Sequence, residues 1–99
     1  MQFVVTGQDG VDGRALERRM AARAEHIRVG DEMRDRGELL FAVALLDSKE
    51  QMVGSVLIVD FPSRERLEEW LAVEPYVTGK VWEHIEVEPC RVGPSFTRV

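Results

Sequence analysis

The stretch "ELLFAVALLD", residues 38–47, decides the fold. It is apolar at every position between its two terminal carboxylates, and it follows a helical pattern that stops at Gly37. Such a run is either a strand buried on both faces or a core helix, and its length and position favour the strand. A second run, "MVGSVLIVDF" at residues 52–61, is rich in Val and Ile and predicts another central strand.

The flanking segments alternate between extended and helical patterns. Residues 1–7 predict a strand closed by Gly7, residues 14–36 a helix, residues 62–74 a second helix capped by Ser63, and residues 80–89 a last strand. The order βαββαβ is the ferredoxin-like arrangement, an α+β fold in which a four-stranded antiparallel sheet carries two helices on one face. We expect a single domain over residues 1–99, with about 91–99 as a less regular tail.

Apolar side chains lie on both faces of the two middle strands. Phe41 and Val43 point one way and Ala42 the other, whereas a sheet with helices on one face ordinarily carries polar residues on its second face. Leaving that face wet costs many kcal/mol at about 25 cal/mol per Å2. A second copy of the same sheet covers it most simply, so we expect a homodimer through the helix-free sheet face.

The first helix carries one apolar stripe and two unexpected polar residues. His26, at the margin of the stripe, is either a half-exposed boundary histidine or a general base, because imidazole titrates near neutral pH. Arg23 is placed deeper toward the apolar face than a solvated arginine, either with its stem packed on the core or as a clamp for a carboxylate. The stripe predicted to meet the core comprises Leu16, Met20, Ala24 and Ile27.

The last strand alternates, so Val81, Ile85 and Val87 should face one side. Trp82, His84 and Glu86 should face the other, and His84 is interpreted as a surface or interface residue.

Composition argues against several classes of function. The net charge of -5 over 99 residues argues against nucleic acid or an anionic membrane as the main partner. No secretory signal or membrane span is evident, and Cys90 is the only cysteine, so we expect a cytoplasmic protein without an intrachain disulfide. Nothing near Cys90 marks a nucleophile, and the two histidines are too far apart in sequence to suggest a metal site.

The sequence resembles the YciI-like family over nearly the whole chain. The resemblance is carried by an Arg-x-x-His at Arg23 and His26, "GELL" from Gly37, "GSVLIVDF" from Gly54 and "EPYVTGKVWEHIEVEP" from Glu74. It implies a ferredoxin-like protomer that forms a dimeric α/β barrel, with the two sheets facing each other.

The resemblance also implies an active site built on a histidine and an acid. The histidine corresponds to His26, and the acid to Glu74, where the family has Asp; Pro75 and Tyr76 follow. The carboxylate of Glu74 is one methylene longer than the family's. The family also often has Gly-Pro where this chain has Val43 and Ala44, which implies a differently shaped pocket.

Three functions remain open. In the first, a lyase or isomerase without a cofactor, His26 removes a proton from a small organic acid, Glu74 orients the imidazole, Arg23 binds the carboxylate and Tyr76 lines the pocket. Some relatives in the family look like lyases that eliminate HCl from chlorinated ring-cleavage products. The second is a non-catalytic ligand-binding or assembly module on the same scaffold, and the third is a cofactor-free monooxygenase of the same barrel type.

Overall fold

The computed structural model describes residues 1–96 and confirms the order βαββαβ. The last three residues of the predicted tail lie outside the described residues, and β1 runs two residues beyond Gly7. The elements are β1 Gln2–Asp9, α1 Ala15–Asp35, β2 Leu39–Leu46, β3 Met52–Asp60, α2 Arg64–Val73, the one-turn α3 Pro75–Thr78, β4 Trp82–Cys90 and a final 3-10 turn Pro94–Phe96.

The four strands form one antiparallel sheet in the order β2-β3-β1-β4. β3 is central as predicted, with Leu57 and Val59 buried beneath the helices and Val56 and Ile58 half-buried on the other face. β2 is different, because it is an edge strand whose residues 41–46 are exposed on both faces in the single chain. The prediction that it is central and buried is wrong, since the order of strands is not encoded in the pattern of one strand.

The face of α1 that meets the core is not the predicted apolar stripe. Leu16, Met20, Ala24 and Ile27 are exposed, and Met20 retains 52% of its accessible surface. The inward face lies one residue to the side, at spacings that alternate between four and three. Two of its residues, Arg19 and His26, are polar, so a search for apolar periodicity does not identify this face. Its members are Ala15, Arg19, Ala22, His26, Val29 and Met33.

The end of α1 and the start of α2 follow local sequence rules. α1 stops at Gly37, which adopts the left-handed conformation with φ 77. Its amide bonds to the Arg34 carbonyl, while the Glu38 amide reaches back to Met33, the paired pattern of a Schellman end. α2 begins at Ser63 as predicted, with its Oγ accepting from the Arg66 amide at 3.1 Å.

A β-bulge in β4 reverses the predicted side of Trp82. Gln8 pairs with His84 but Asp9 pairs with Trp82, so Glu83 is the extra residue on its strand. The indole therefore enters the core beneath the helices, while His84 stays exposed on the opposite face as predicted. The Trp82 indole fills the space beside Gly7, where a Cβ would overlap the ring.

Candidate active site

The junction of α2 and α3 brings a buried carboxylate to His26. Glu74 ends α2 in an extended conformation and caps α3, because Pro75 occupies the first helical position. Its Oε1 contacts His26 Nδ1 and accepts the Tyr76 amide at 3.3 Å, while Oε2 accepts from Trp70 Nε1 at 3.1 Å. The structure thus brings the two predicted dyad residues together. Trp70 donates to the second oxygen of the longer Glu74 side chain.

Aromatic rings hold the imidazole in place. The Tyr76 ring is stacked on His26 with centroids 3.8 Å apart, and the Trp82 ring meets both edge-on at 6.0 Å from His26 and 5.6 Å from Tyr76. Such contacts leave little freedom for the imidazole to rotate. With Nδ1 donating to the carboxylate, neutral His26 carries its lone pair on Nε2.

A second buried cluster lies behind this pair, and the apolar pattern of the sequence does not predict it. Arg19 Nη1 donates to Asp9 Oδ1 at 2.9 Å and to Oδ2 at 3.0 Å, and Arg19 Nη2 donates to Ser55 Oγ at 2.8 Å. The same Ser55 oxygen accepts from Trp82 Nε1 at 3.2 Å. Burial raises the pKa of Asp9 above its usual value, and the bond from Arg19 only partly offsets this. The sequence signal for Arg19 is its spacing of seven residues from His26, which places both on one helix face.

Arg23 does not lie toward the core, contrary to the sequence analysis. It is exposed, and its side chain makes no hydrogen bond or ion pair with the described residues. The reason is that Arg19, not Arg23, follows the inward face of α1. The Arg23 charge still acts on Tyr76, whose pKa is raised by burial and lowered in part by Arg19 and Arg23.

His26 borders a cleft of about 250 Å3 between α1 and the start of β2. Ala42 lines this cleft, but Val43 and Ala44 do not, so the departure from Gly-Pro does not alter its wall directly. Arg34 also lines it and is shared with a neighbouring cleft of about 580 Å3. The remaining walls of the smaller cleft come from Ile27, Gly30, Asp31, Leu39, Leu40 and Phe41.

Other candidate groups lie away from this cleft. His84 is exposed on β4 and bonds to Glu86, and burial raises the pKa of the Cys90 thiol, which disfavours its thiolate. Residues 1–96 contain no group of His, Cys, Asp and Glu side chains that could hold a metal ion. Within the same residues, no helix is long and apolar enough to cross a membrane.

Two solved structures resemble this fold. One is 5-chloro-2-hydroxyhydroquinone dehydrochlorinase from Burkholderia phenoliruptrix AC1100 in complex with 2,5-dihydroxybenzoquinone, at a TM-score of 0.83 and 19% identity over 96% of this chain and 98% of that one. The other is an antibiotic biosynthesis monooxygenase, at a TM-score of 0.53 and 19% identity over 95% of this chain and 100% of that one. At these identities, the likeness concerns the fold.

Sequence comparison is more specific. Protein YciI of Escherichia coli and that of Shigella flexneri are each 34% identical over 95 residues, which cover 90% of this chain and 95% of theirs. An uncharacterized protein of Haemophilus influenzae is 30% identical over 95 residues with the same coverage. The family model of the YCII-related domain matches residues 1–91. The chain therefore belongs to the YCII-related domain family.

Proposed function

We propose that the protein is a cofactor-independent lyase or isomerase in which His26 removes a proton next to a carbonyl or carboxylate. The observation that carries this proposal is the contact between His26 Nδ1 and the buried Glu74 carboxylate, beside a cleft of about 250 Å3. A histidine held by an acid, with its second nitrogen available, is the arrangement of a general base.

The reaction begins when His26 Nε2 takes a proton from carbon. The electron pair of the broken C–H bond moves toward the carbonyl, which gives an enolate with its negative charge on the oxygen. The enolate then either expels a leaving group from the neighbouring carbon or takes a proton back at another carbon. Glu74 stabilises the imidazolium formed in the first step, and general-base action of this kind contributes about 10²–10⁴-fold.

The substrate we propose is a small, flat organic acid or hydroxyquinone. Ile27, Leu40 and Phe41 give the cleft apolar walls, and Arg34, which also pairs with Asp31 and Asp35, is the cation in its lining. Arg23, exposed and without an ion-pair partner among the described residues, would attract the anion from solvent. Tyr76 would form the floor behind the imidazole. The structural relative that removes chloride from a hydroxyhydroquinone supports a ring compound of this size.

We also propose that the protein works as a homodimer through the helix-free sheet face. Phe41, Val43 and Leu45 stay 51%, 53% and 37% exposed in the single chain, and all three lie on that face. Their apolar surface needs a cover, and a second copy offers a matching one.

Proton abstraction can be tested before the physiological substrate is known. Candidate keto acids and hydroxyquinones are incubated with the protein in deuterium oxide, and the loss of each C–H signal is followed by NMR. We expect exchange with at least one compound, and a loss of at least about 100-fold for His26→Gln. His84→Gln is the matched control and should keep the wild-type rate.

Exchange that survives in His26→Gln would refute the proposal. Binding of these compounds without exchange would favour the ligand-binding module. Oxygen uptake without exchange would favour the monooxygenase.

A further inference from the structure

Arg19 is a buried cation that the proposed reaction does not use. Only 3% of its side chain is exposed, and it is fixed from two strands, by Asp9 of β1 and by Ser55 of β3. Its Nε is buried without a hydrogen-bond partner among the described residues. Replacing a buried ion pair with apolar residues of similar size is often neutral or stabilising, so stability is a weak explanation for this group.

The guanidinium of Arg19 lies against the ring that supports His26. Its central carbon is 4.7 Å from the centroid of Tyr76, and the Tyr76 ring is stacked on His26. A cation near a tyrosine ring is attracted to the electron-rich face, more strongly when water is excluded. Arg19 and His26 lie two helical turns apart on the same face of α1, so the ring contacts both.

Ser55 joins this cluster to the third ring of the site. Its Oγ accepts from Arg19 and from Trp82 Nε1, and Trp82 meets both His26 and Tyr76 edge-on. The guanidinium fork therefore touches Tyr76 directly and reaches Trp82 through one hydroxyl. A lysine carries the same charge but lacks the planar fork that permits these contacts together.

We propose that Arg19, anchored by Asp9 and Ser55, is a positioning residue that presses the Tyr76 ring against His26 and keeps imidazole Nδ1 on Glu74. In catalysis this role rests on the proposed function, since Nε2 acts as the base only while Nδ1 donates to Glu74. The positioning itself does not depend on any substrate.

The test uses imidazole NMR of the full-length protein, which has only two histidines, His26 and His84. Long-range proton–nitrogen spectra of the wild type should show His26 as a single tautomer protonated at Nδ1. In Arg19→Lys we expect a mixture of the two tautomers at His26, with His84 unchanged as the internal reference. Arg18→Lys, which alters the half-buried neighbour on α1, should leave both histidines as in the wild type.

The deuterium exchange rate gives the second measurement. Arg19→Lys should lower kcat by about 10- to 100-fold and change KM less, because the base is misplaced while the cleft is kept. If Arg19→Lys does not fold, Ser55→Ala tests the proposal instead. This variant keeps the Arg19 charge but removes the acceptor of both Arg19 Nη2 and Trp82 Nε1. It should mix the tautomers in the same sense.

The two proposals fail in different ways. An unchanged His26 tautomer in the folded variant overturns the positioning role, even if the wild type is active. A changed tautomer in a protein that exchanges no candidate substrate sustains the positioning role and removes the proposed function.

Discussion

The imidazole of His26 lies flat against the phenol ring of Tyr76, with their planes only 8° from parallel. Glu74 contacts both residues through one oxygen, which meets His26 Nδ1 and the Tyr76 amide. A change at any of the three is therefore transmitted to the other two.

The ionisation of Tyr76 can be followed alone, because the chain has a single tyrosine. Burial raises its pKa above the usual 10.0, so by ultraviolet absorbance the folded protein should titrate at a higher pH than the protein in urea. Since the folded pKa lies above the unfolded one, the folded state binds more protons, and the stability from this group falls as the pH rises from the unfolded pKa through the folded pKa. Coincident titration curves would contradict this expectation.

Glu74→Asp restores the acid typical of the family but should destabilise this protein. The shorter side chain cannot serve both His26 and Trp70, and a buried donor without its partner costs about 1–3 kcal/mol. Urea unfolding followed by circular dichroism measures the loss. Glu69→Asp, exposed on α2, is the control and should stay within about 0.5 kcal/mol of the wild type. Equal stabilities of the two variants would show that Trp70 and His26 do not depend on the length of Glu74.

Arg19→Met should give a loss of stability that depends on pH. The variant leaves Asp9 buried without its cation, which costs about 3–5 kcal/mol at neutral pH. The pKa of Asp9 in the folded protein is already raised above its usual 3.8, so the folded state binds more protons. Stability therefore falls as the pH rises from 3.8 to the raised pKa. Removing Arg19 raises the pKa of Asp9 further, so the difference from the wild type should shrink as the pH falls toward the usual pKa of Asp9.

Urea titrations at several pH values provide the measurement, with Arg18→Met as control. Arg18 pairs with Asp12 at the surface, so its loss should cost much less stability than the loss of Arg19. A loss for Arg19→Met that does not vary with pH would argue against an unpaired Asp9 as its cause.

Gly7→Ala tests the packing of Trp82 against β1. A methyl group at this position would overlap the indole, and overpacking of this kind costs about 1–3 kcal/mol. We expect a lower urea midpoint and an altered near-ultraviolet circular dichroism spectrum as Trp82 shifts. Gly13→Ala is the control, because nothing lies within 4 Å of a Cβ there. Matching spectra for the two variants would mean that Trp82 does not depend on the missing side chain.

Val43→Glu tests the proposed dimer. A carboxylate on the helix-free face would be buried without a partner between two sheets, so sedimentation should detect monomers at concentrations where the wild type is dimeric. Val11→Glu makes the same replacement at a fully exposed loop residue and should not change the mass. A monomeric wild type would remove the proposal.

The order of elements follows from the sequence because each signal is local. The apolar runs, the Ser63 cap and Gly37 each act within a few residues. The position of β2 at the edge of the sheet depends on pairing between distant segments, which no local pattern encodes. Its apolar residues 41–46 are exposed in the single chain, although their pattern predicts burial on both faces.

The site was predicted only in part. The pairing of His26 with Glu74 came from a resemblance and not from spacing, since 48 residues separate them. Arg19 was missed because a charged residue on an inward face counts against that face in a search for apolar periodicity. Trp82 was placed on the wrong side because one extra residue at Glu83 shifts the alternation of β4.

The side chains around His26 come from five parts of the chain, represented by Asp9, His26, Ser55, Glu74 and Trp82. Fraying of one helix end or one loop leaves most of these contacts in place, so full dispersal of the site requires cooperative unfolding of the sheet and both long helices together. Amide protons around His26 should therefore exchange with solvent at the rate set by global opening, and heat inactivation should coincide with loss of the whole fold.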